Sequence, residues 1–230
     1  MNLPILTYTN VRDFENCAHK FYRKYVLRDI KFVRTAAMDA GTKDHDALMN
    51  RLKKGIALDR HLRGAEPICD IFNSLPDTVP YRVEYMMGML PDGSPCAWDA
   101  QACWLRLKPD VACWSLMGGW LVDWKTGRPW EDPFELNCQA MVLHAHHPEV
   151  PFWKGEYFWT KENRPGTRYD LDPMQTFARV AESWGKMHAY KQMMGDEKAH
   201  HQHAWPKTPN KLCAWCDVKD CEHNTKDQTQ

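Results

Sequence analysis

The chain has 230 residues, enough to bury a substantial core as one compact domain. Its 30 Lys and Arg balance 30 Asp and Glu, a formal net charge of zero, which excludes the broad positive field of a protein that coats nucleic acid. There is no bilayer-length apolar run and no signal-peptide pattern, and the cysteine count is an odd nine; together these argue against a membrane protein and a disulfide scaffold and predict a cytoplasmic protein.

Charge is uneven along the chain. Residues 1–63 carry 13 basic and 7 acidic side chains, a net of +6. Helices are expected over about Val11 to Arg28 and Thr35 to Lys54, and they hold Lys20, Arg23, Lys24, Arg28, Arg51, Lys53 and Lys54. Such a cluster is either a track for phosphates or an ordinary solvated face. His45 shares the helical face of Gly41, Leu48 and Leu52 and therefore points inward, as a core histidine or as a ligand. A short strand follows at about Tyr81 to Met89, where Glu84 is an edge-strand polar residue or an auxiliary acid.

Two apolar runs come next, Leu107-Lys-Pro-Asp-Val-Ala-Cys-Trp114 and Trp120-Leu-Val-Asp-Trp-Lys-Thr-Gly127, joined by the turn-prone Ser115-Leu-Met-Gly-Gly119. They are predicted to be neighbouring antiparallel strands, with Asp110 near the end of one and Asp123 near the end of the other. Strands lie about 5 Å apart, so both carboxylates can share one divalent cation. Asp123 and Lys125 are two apart and project from the same face. Two acids, a lysine and a backbone carbonyl, here that of Trp124, suit Mg2+ or Mn2+ with open water positions. Lys125 then orients the attacking hydroxide or neutralises charge on the phosphorane, the equipment of metal-assisted phosphodiester hydrolysis. The plain alternative for any D-x-K is a solvated cross-strand pair. Thr126 offers a hydroxyl to a phosphate or merely finishes the strand, and Trp120 and Trp124 wall the site or stack on a base.

A helix is expected at Phe134 to His146, an aromatic strand at Phe152 to Thr160, and a further helix from Asp172-Pro-Met, with Asp172 as cap and an apolar stripe of Met174, Phe177, Val180, Ala181, Trp184 and Met187. Near the C-terminus Cys213-Ala-Trp-Cys216-Asp-Val-Lys-Asp-Cys221 spaces three thiols for one metal centre, whose fourth ligand comes from elsewhere. Cys69, Cys96, Cys103, Cys113 and Cys138 are expected to be small buried side chains.

Lys108-Pro-Asp110 with Asp123-Trp-Lys125-Thr-Gly127 resembles the two central motifs of the PD-(D/E)XK nuclease superfamily, in its RecB-like and AddB-like exonuclease branch; the resemblance runs from Asn10 to Cys221. It implies an α/β fold with a restriction-endonuclease-like core, a mixed central sheet flanked by helices, an N-terminal helical segment and a C-terminal cysteine metal module. One domain over residues 1–223 is expected, with a helical part at 1–62, a core at 80–200, a cysteine module at 205–223 closing onto Cys17, and a disordered tail at 224–230.

Several roles follow from that resemblance. Gly41-Thr-Lys-Asp-His45 is similar to the G-x-x-x-H motif, which makes His45 a metal ligand with Asp110, Asp123 and the Trp124 carbonyl. Glu84 takes the place of an auxiliary acid. Gln139 falls where the family has Q-x-x-x-Y, although Leu143 stands at the tyrosine position; it is then a catalytic contact to phosphate or lysine rather than a helix-surface amide. Asn16-Cys17-Ala-His-Lys-Phe-Tyr22 resembles the N-terminal element C-P-x-x-[FY], with Ala18 in place of proline, so Cys17, Cys213, Cys216 and Cys221 are implied ligands of a structural 4Fe-4S cluster. Zinc is the competing metal there, with Cys17, His223 or His203 as fourth ligand.

The expected activity is that of a Mg2+- or Mn2+-dependent deoxyribonuclease, an exonuclease acting on single-stranded DNA ends in recombination, repair or replication. Lys20, Arg23, Lys24 and Thr126 are its expected DNA contacts. No Walker A loop is present, so a helicase or recombination partner is a separate polypeptide. The alternatives are an endonuclease on branched or duplex DNA, a non-catalytic DNA-binding protein with a nuclease fold, and an iron-sulfur redox protein.

Overall fold

The computed structural model describes residues 2–130, 132–194 and 204–224. The chain is mixed α/β and divides into two compact units, Met1–Val33 with Ala178–Gln230, and Arg34–Phe177. The helical N-terminal part expected at 1–62 is therefore divided at residue 33. Among the described residues no helix is long and apolar enough to cross a membrane.

In the first unit, α1 (Tyr8–Asn16) starts at Thr7, whose hydroxyl accepts from the Asn10 amide while the Asn10 side chain accepts from the Thr7 N–H. The single helix expected over Val11 to Arg28 is broken at Cys17, which is extended at φ −165° and ψ 108°. Long-range partners replace the helical ones: Asn210 Nδ2 donates to Asn16 O at 3.0 Å, and the His19 N–H donates to Pro206 O at 3.1 Å. The chain resumes as α2 (Ala18–Phe21) and a π-helix over Tyr22–Leu27. Trp205 is fully buried, with Phe21 and Tyr22 stacked on it at 5.7 and 5.6 Å and Tyr190 edge-on at 5.6 Å. That aromatic cluster is the heart of this unit.

In the second unit, α3 (Ala36–Lys54) is capped by the Thr35 hydroxyl. It packs with α4 (Glu66–Asn73) over a core that includes Leu48, Leu52, Phe72, Val111, Val122, Trp124 and Phe158. The strand expected from Tyr81 to Met89 is two strands, β1 (Tyr81–Val83) and β2 (Met87–Met89), in different sheets. The chain turns between them at Glu84, which adopts the left-handed φ of 52°.

β2, β3 (Pro95–Cys96) and β4 (Leu105–Leu107) form a small antiparallel sheet. The main sheet has the order β1-β5-β6-β7-β8, from β5 (Val111–Ser115), β6 (Gly118–Lys125), β7 (Trp153–Trp159) and β8 (Arg164–Leu171). β5 and β6 are the expected antiparallel hairpin, turning at Leu116 and Met117 with Gly118 at φ 131°. β6 and β7 run parallel, and α5 (Phe134–His146) makes the crossover between them. β8 pairs antiparallel with β7.

α6 (Pro173–Met193) starts at the expected cap, the Gln175 N–H donating to Asp172 Oδ1 at 2.9 Å. Its stripe is buried at Val180 and Met187, but Met174 is exposed rather than core. Asn224 is no part of a loose tail: it is buried and its Nδ2 donates to Cys216 O and Val218 O, while residues 225–230 lie outside the described residues. Of the five cysteines expected to be core, Cys69, Cys103, Cys113 and Cys138 are buried and Cys96 is half-buried.

Candidate active site

The pairing of Val111 with Val122 places Asp110, one residue beyond β5, directly opposite Asp123. Residues directly opposite on antiparallel strands project from the same face at close range. Both acids are buried, at 7% and 4% exposure. Along β6, Val122 and Trp124 enter the α3–α4 core, so the alternating Asp123 and Lys125 turn to the other face, toward α5.

α5 meets them there. Gln139 Nε2 donates to Asp123 Oδ1 at 2.7 Å, and Lys125 Nζ lies 2.6 Å from Asp123 Oδ2 and 2.6 Å from Glu135 Oε2. Lys125 Nζ is thus the neighbour of Asp123 Oδ2, while among the described residues the buried Gln139 Oε1 has no hydrogen-bond partner. Sequence reasoning missed Glu135. The signal was available: Glu135 and Gln139 are four apart on one helix and share a face.

α3 supplies the other partner. His45 Nδ1 lies 3.2 Å from Asp110 Oδ1, and the Trp124 N–H donates to Asp110 Oδ2 at 2.8 Å. A strand residue points its N–H and C=O to the same side, so the Trp124 carbonyl is also directed toward Asp110. Gly41 explains how α3 approaches so closely: a Cβ there would fall 2.7 Å from Thr126 Oγ1. Thr126 thus packs under α3, one turn before His45.

The charges perturb each other strongly. Burial and the Asp123 charge push the Asp110 pKa up, against the pull of His45 and the Trp124 amide. Burial, then Asp123, raise Glu135 to about 7, although Lys125 opposes them. Burial works against protonation of Lys125, but Asp123 and Glu135 outweigh it and its pKa rises. Burial likewise opposes His45 protonation, and Asp110 and then Asp123 overcome it, so its pKa is raised.

The other expected residues have their own partners. The Glu84 N–H donates to Asp110 O at 2.8 Å, but its carboxylate accepts from Lys108 Nζ at 2.8 Å. Lys20 and Lys24 hold Asp13 at 2.7 and 3.1 Å, and Arg23 pairs with Asp29 at 2.7 Å and Asp220 at 3.0 Å. These three expected DNA contacts therefore carry carboxylates already. Trp124 is buried, and Trp120 stacks on Phe72 at 4.7 Å with the Arg168 guanidinium 5.1 Å from its ring centroid.

Cys17, Cys213, Cys216 and Cys221 line one cavity of the first unit, together with His19 and His223. The Asn210 N–H donates to Cys213 Sγ at 3.3 Å. His19 is 3% exposed and its Nδ1 has no hydrogen-bond partner among the described residues. His203 lies outside the described residues. Among the described residues, no three His, Cys, Asp or Glu side chains converge as ligands of a single ion.

No protein-family model matches the chain, and no curated protein matches it.

Proposed function

We propose that the protein is a metal-dependent deoxyribonuclease of the PD-(D/E)XK type, hydrolysing phosphodiester bonds at single-stranded DNA ends. The observation that carries this reading is Asp110 facing Asp123 across adjacent strands, with Lys125 against Asp123. The β5–β6 hairpin followed by the β6–α5–β7 parallel crossover supports a restriction-endonuclease-like core.

Asp123 and Glu135 both meet the Lys125 ammonium and Asp110 stands opposite Asp123, so three carboxylates gather in a buried place. Gln139 Oε1, buried without a hydrogen-bond partner among the described residues, adds a further oxygen donor. That oxygen-rich set fits a hard divalent cation such as Mg2+ or Mn2+, held by Asp110, Asp123 and the Trp124 carbonyl, with His45 beside Asp110. A cation bound there supplies Lewis acidity to the phosphate and lowers the pKa of its water.

The chain's own residues do the rest. His45 and the Trp124 amide fix the two Asp110 oxygens, and Gln139 fixes Asp123. Lys125, kept an ammonium by two carboxylates, donates to charge developing on the phosphate and is not a general base. Glu135 positions Lys125.

Four cysteine sulfurs lining one cavity are a donor set suited to an iron-sulfur cluster, which takes its ligands around a body larger than one ion. Cys17, Cys213, Cys216 and Cys221 would hold it and so cross-link segments far apart in sequence.

End-labelled single-stranded and duplex DNA incubated with Mg2+ or Mn2+ tests the reading. Progressive shortening of the single strand by wild type, lost in Asp123→Ala and Lys125→Ala, is expected. Full cleavage by Asp123→Ala refutes it.

A further inference from the structure

Among the described tryptophans, Trp130 and Trp215 stand out from the surface at 68% and 72% exposure. Trp130 lies in the segment between β6 and α5, and both ends of that segment are fastened at the acid cluster. Lys125 precedes it, Glu135 follows it, and their 2.6 Å ion pair closes it. Five residues of chain keep Trp130 within about 18 Å of Lys125 even when fully extended.

The segment is braced at its base. Tyr157 Oη donates to Asp132 O at 2.7 Å, the Phe134 N–H donates to Asp132 Oδ1 at 3.0 Å, and the Asp132 N–H donates to Trp130 O at 3.0 Å. Pro129 and Pro133 restrict it further. The indole is thus presented to solvent from a tied segment.

Two residues earlier, Arg128 is exposed and makes no ion pair with a described residue. Lys20, Arg23 and Lys24 contrast with it, since each is committed to an aspartate. An exposed guanidinium two residues from an exposed indole matches the two things an unpaired nucleotide offers, a phosphate and an exposed base. Paired bases of a duplex keep their faces stacked on each other.

We propose that Arg128 and Trp130 form a subsite for a single-stranded DNA strand beside the acid cluster, the indole stacking on an unpaired base and the guanidinium holding a phosphate. This rests on the nuclease reading of that cluster. The subsite selects single strands over duplex, a preference that the acids and Lys125 do not by themselves impose.

Fluorescence anisotropy of a labelled oligothymidine and of a matched duplex, with no added divalent cation, tests it on the full chain. Trp130→Ala is expected to weaken single-strand binding about tenfold, with duplex binding little changed, and Trp130→Phe to keep most of it. Arg128→Ala is expected to weaken binding and reduce the slope of log affinity against log salt by about one phosphate contact. Circular dichroism of each variant checks folding. Unchanged single-strand binding by Trp130→Ala, or an equal loss for both DNAs, overturns the subsite. If wild type still cleaves DNA in Mn2+, that result leaves the nuclease reading standing. If wild type neither binds nor cleaves, both fall.

Discussion

Gln139 donates to Asp123 Oδ1 at 2.7 Å, while the opposite oxygen of the same carboxylate faces Lys125 Nζ at 2.6 Å. One carboxylate is thus oriented from a helix and charged against from its own strand. Asp123 is 4% exposed, so a lost donor is not replaced by bulk water.

Gln139→Leu should therefore lower Mn2+-dependent cleavage by about 10- to 100-fold, as for other groups that orient a metal-binding carboxylate. Steady-state cleavage of labelled DNA measures this. Gln139→Glu, which puts a second charge against Asp123, should be no better. An unimpaired Gln139→Leu removes Gln139 from the site.

Elements set by local devices were legible in the sequence, and those set by remote partners were not. Asp172 announced its helix because a capping oxygen is a local device, and it caps as expected. The β5–β6 hairpin was legible because its apolar runs are bounded by glycine and its acids stand alone among hydrophobic neighbours. The break at Cys17 was not, because it is stabilised by Asn210 and Pro206, which are remote in sequence. Glu84 divides β1 from β2 through a backbone angle that its side chain does not advertise. β8 escaped for a different reason. Arg164–Leu171 is an edge strand, exposed along most of its length, so no apolar alternation marks it.

Asp13 gives the first unit an acid limit. Burial raises its pKa, but Lys20, Tyr25 and Lys24 together outweigh burial and hold it below the ordinary 3.8. A folded pKa below the unfolded one adds stability that is present above the unfolded value and is lost as pH falls through the folded value. Unfolding followed by circular dichroism should show this loss below about pH 4. Asp13→Asn should flatten that limb and lower stability at pH 7 by about 1–3 kcal/mol, since Lys20 and Lys24 lose their counter-charge. A variant with the wild-type acid limb would show that Asp13 is not its source.

The cysteine cavity makes a prediction about colour and metal content. Anaerobically purified protein should contain iron and absorb near about 400 nm, as thiolate-bound clusters do. Cys17→Ser and Cys213→Ser should each lose iron and absorbance, whereas Cys138→Ser, buried in α5, should keep both. Zinc without iron in the wild type would assign the thiolates to zinc instead.

The claim on which everything else depends is that Asp110 and Asp123 serve one cation. Electron paramagnetic resonance of Mn2+ titrated into wild type, Asp110→Ala and Asp123→Ala measures it without reference to DNA. One tightly held Mn2+ per chain in the wild type, lost in both variants, is the predicted result. Equal Mn2+ binding by all three proteins would contradict it.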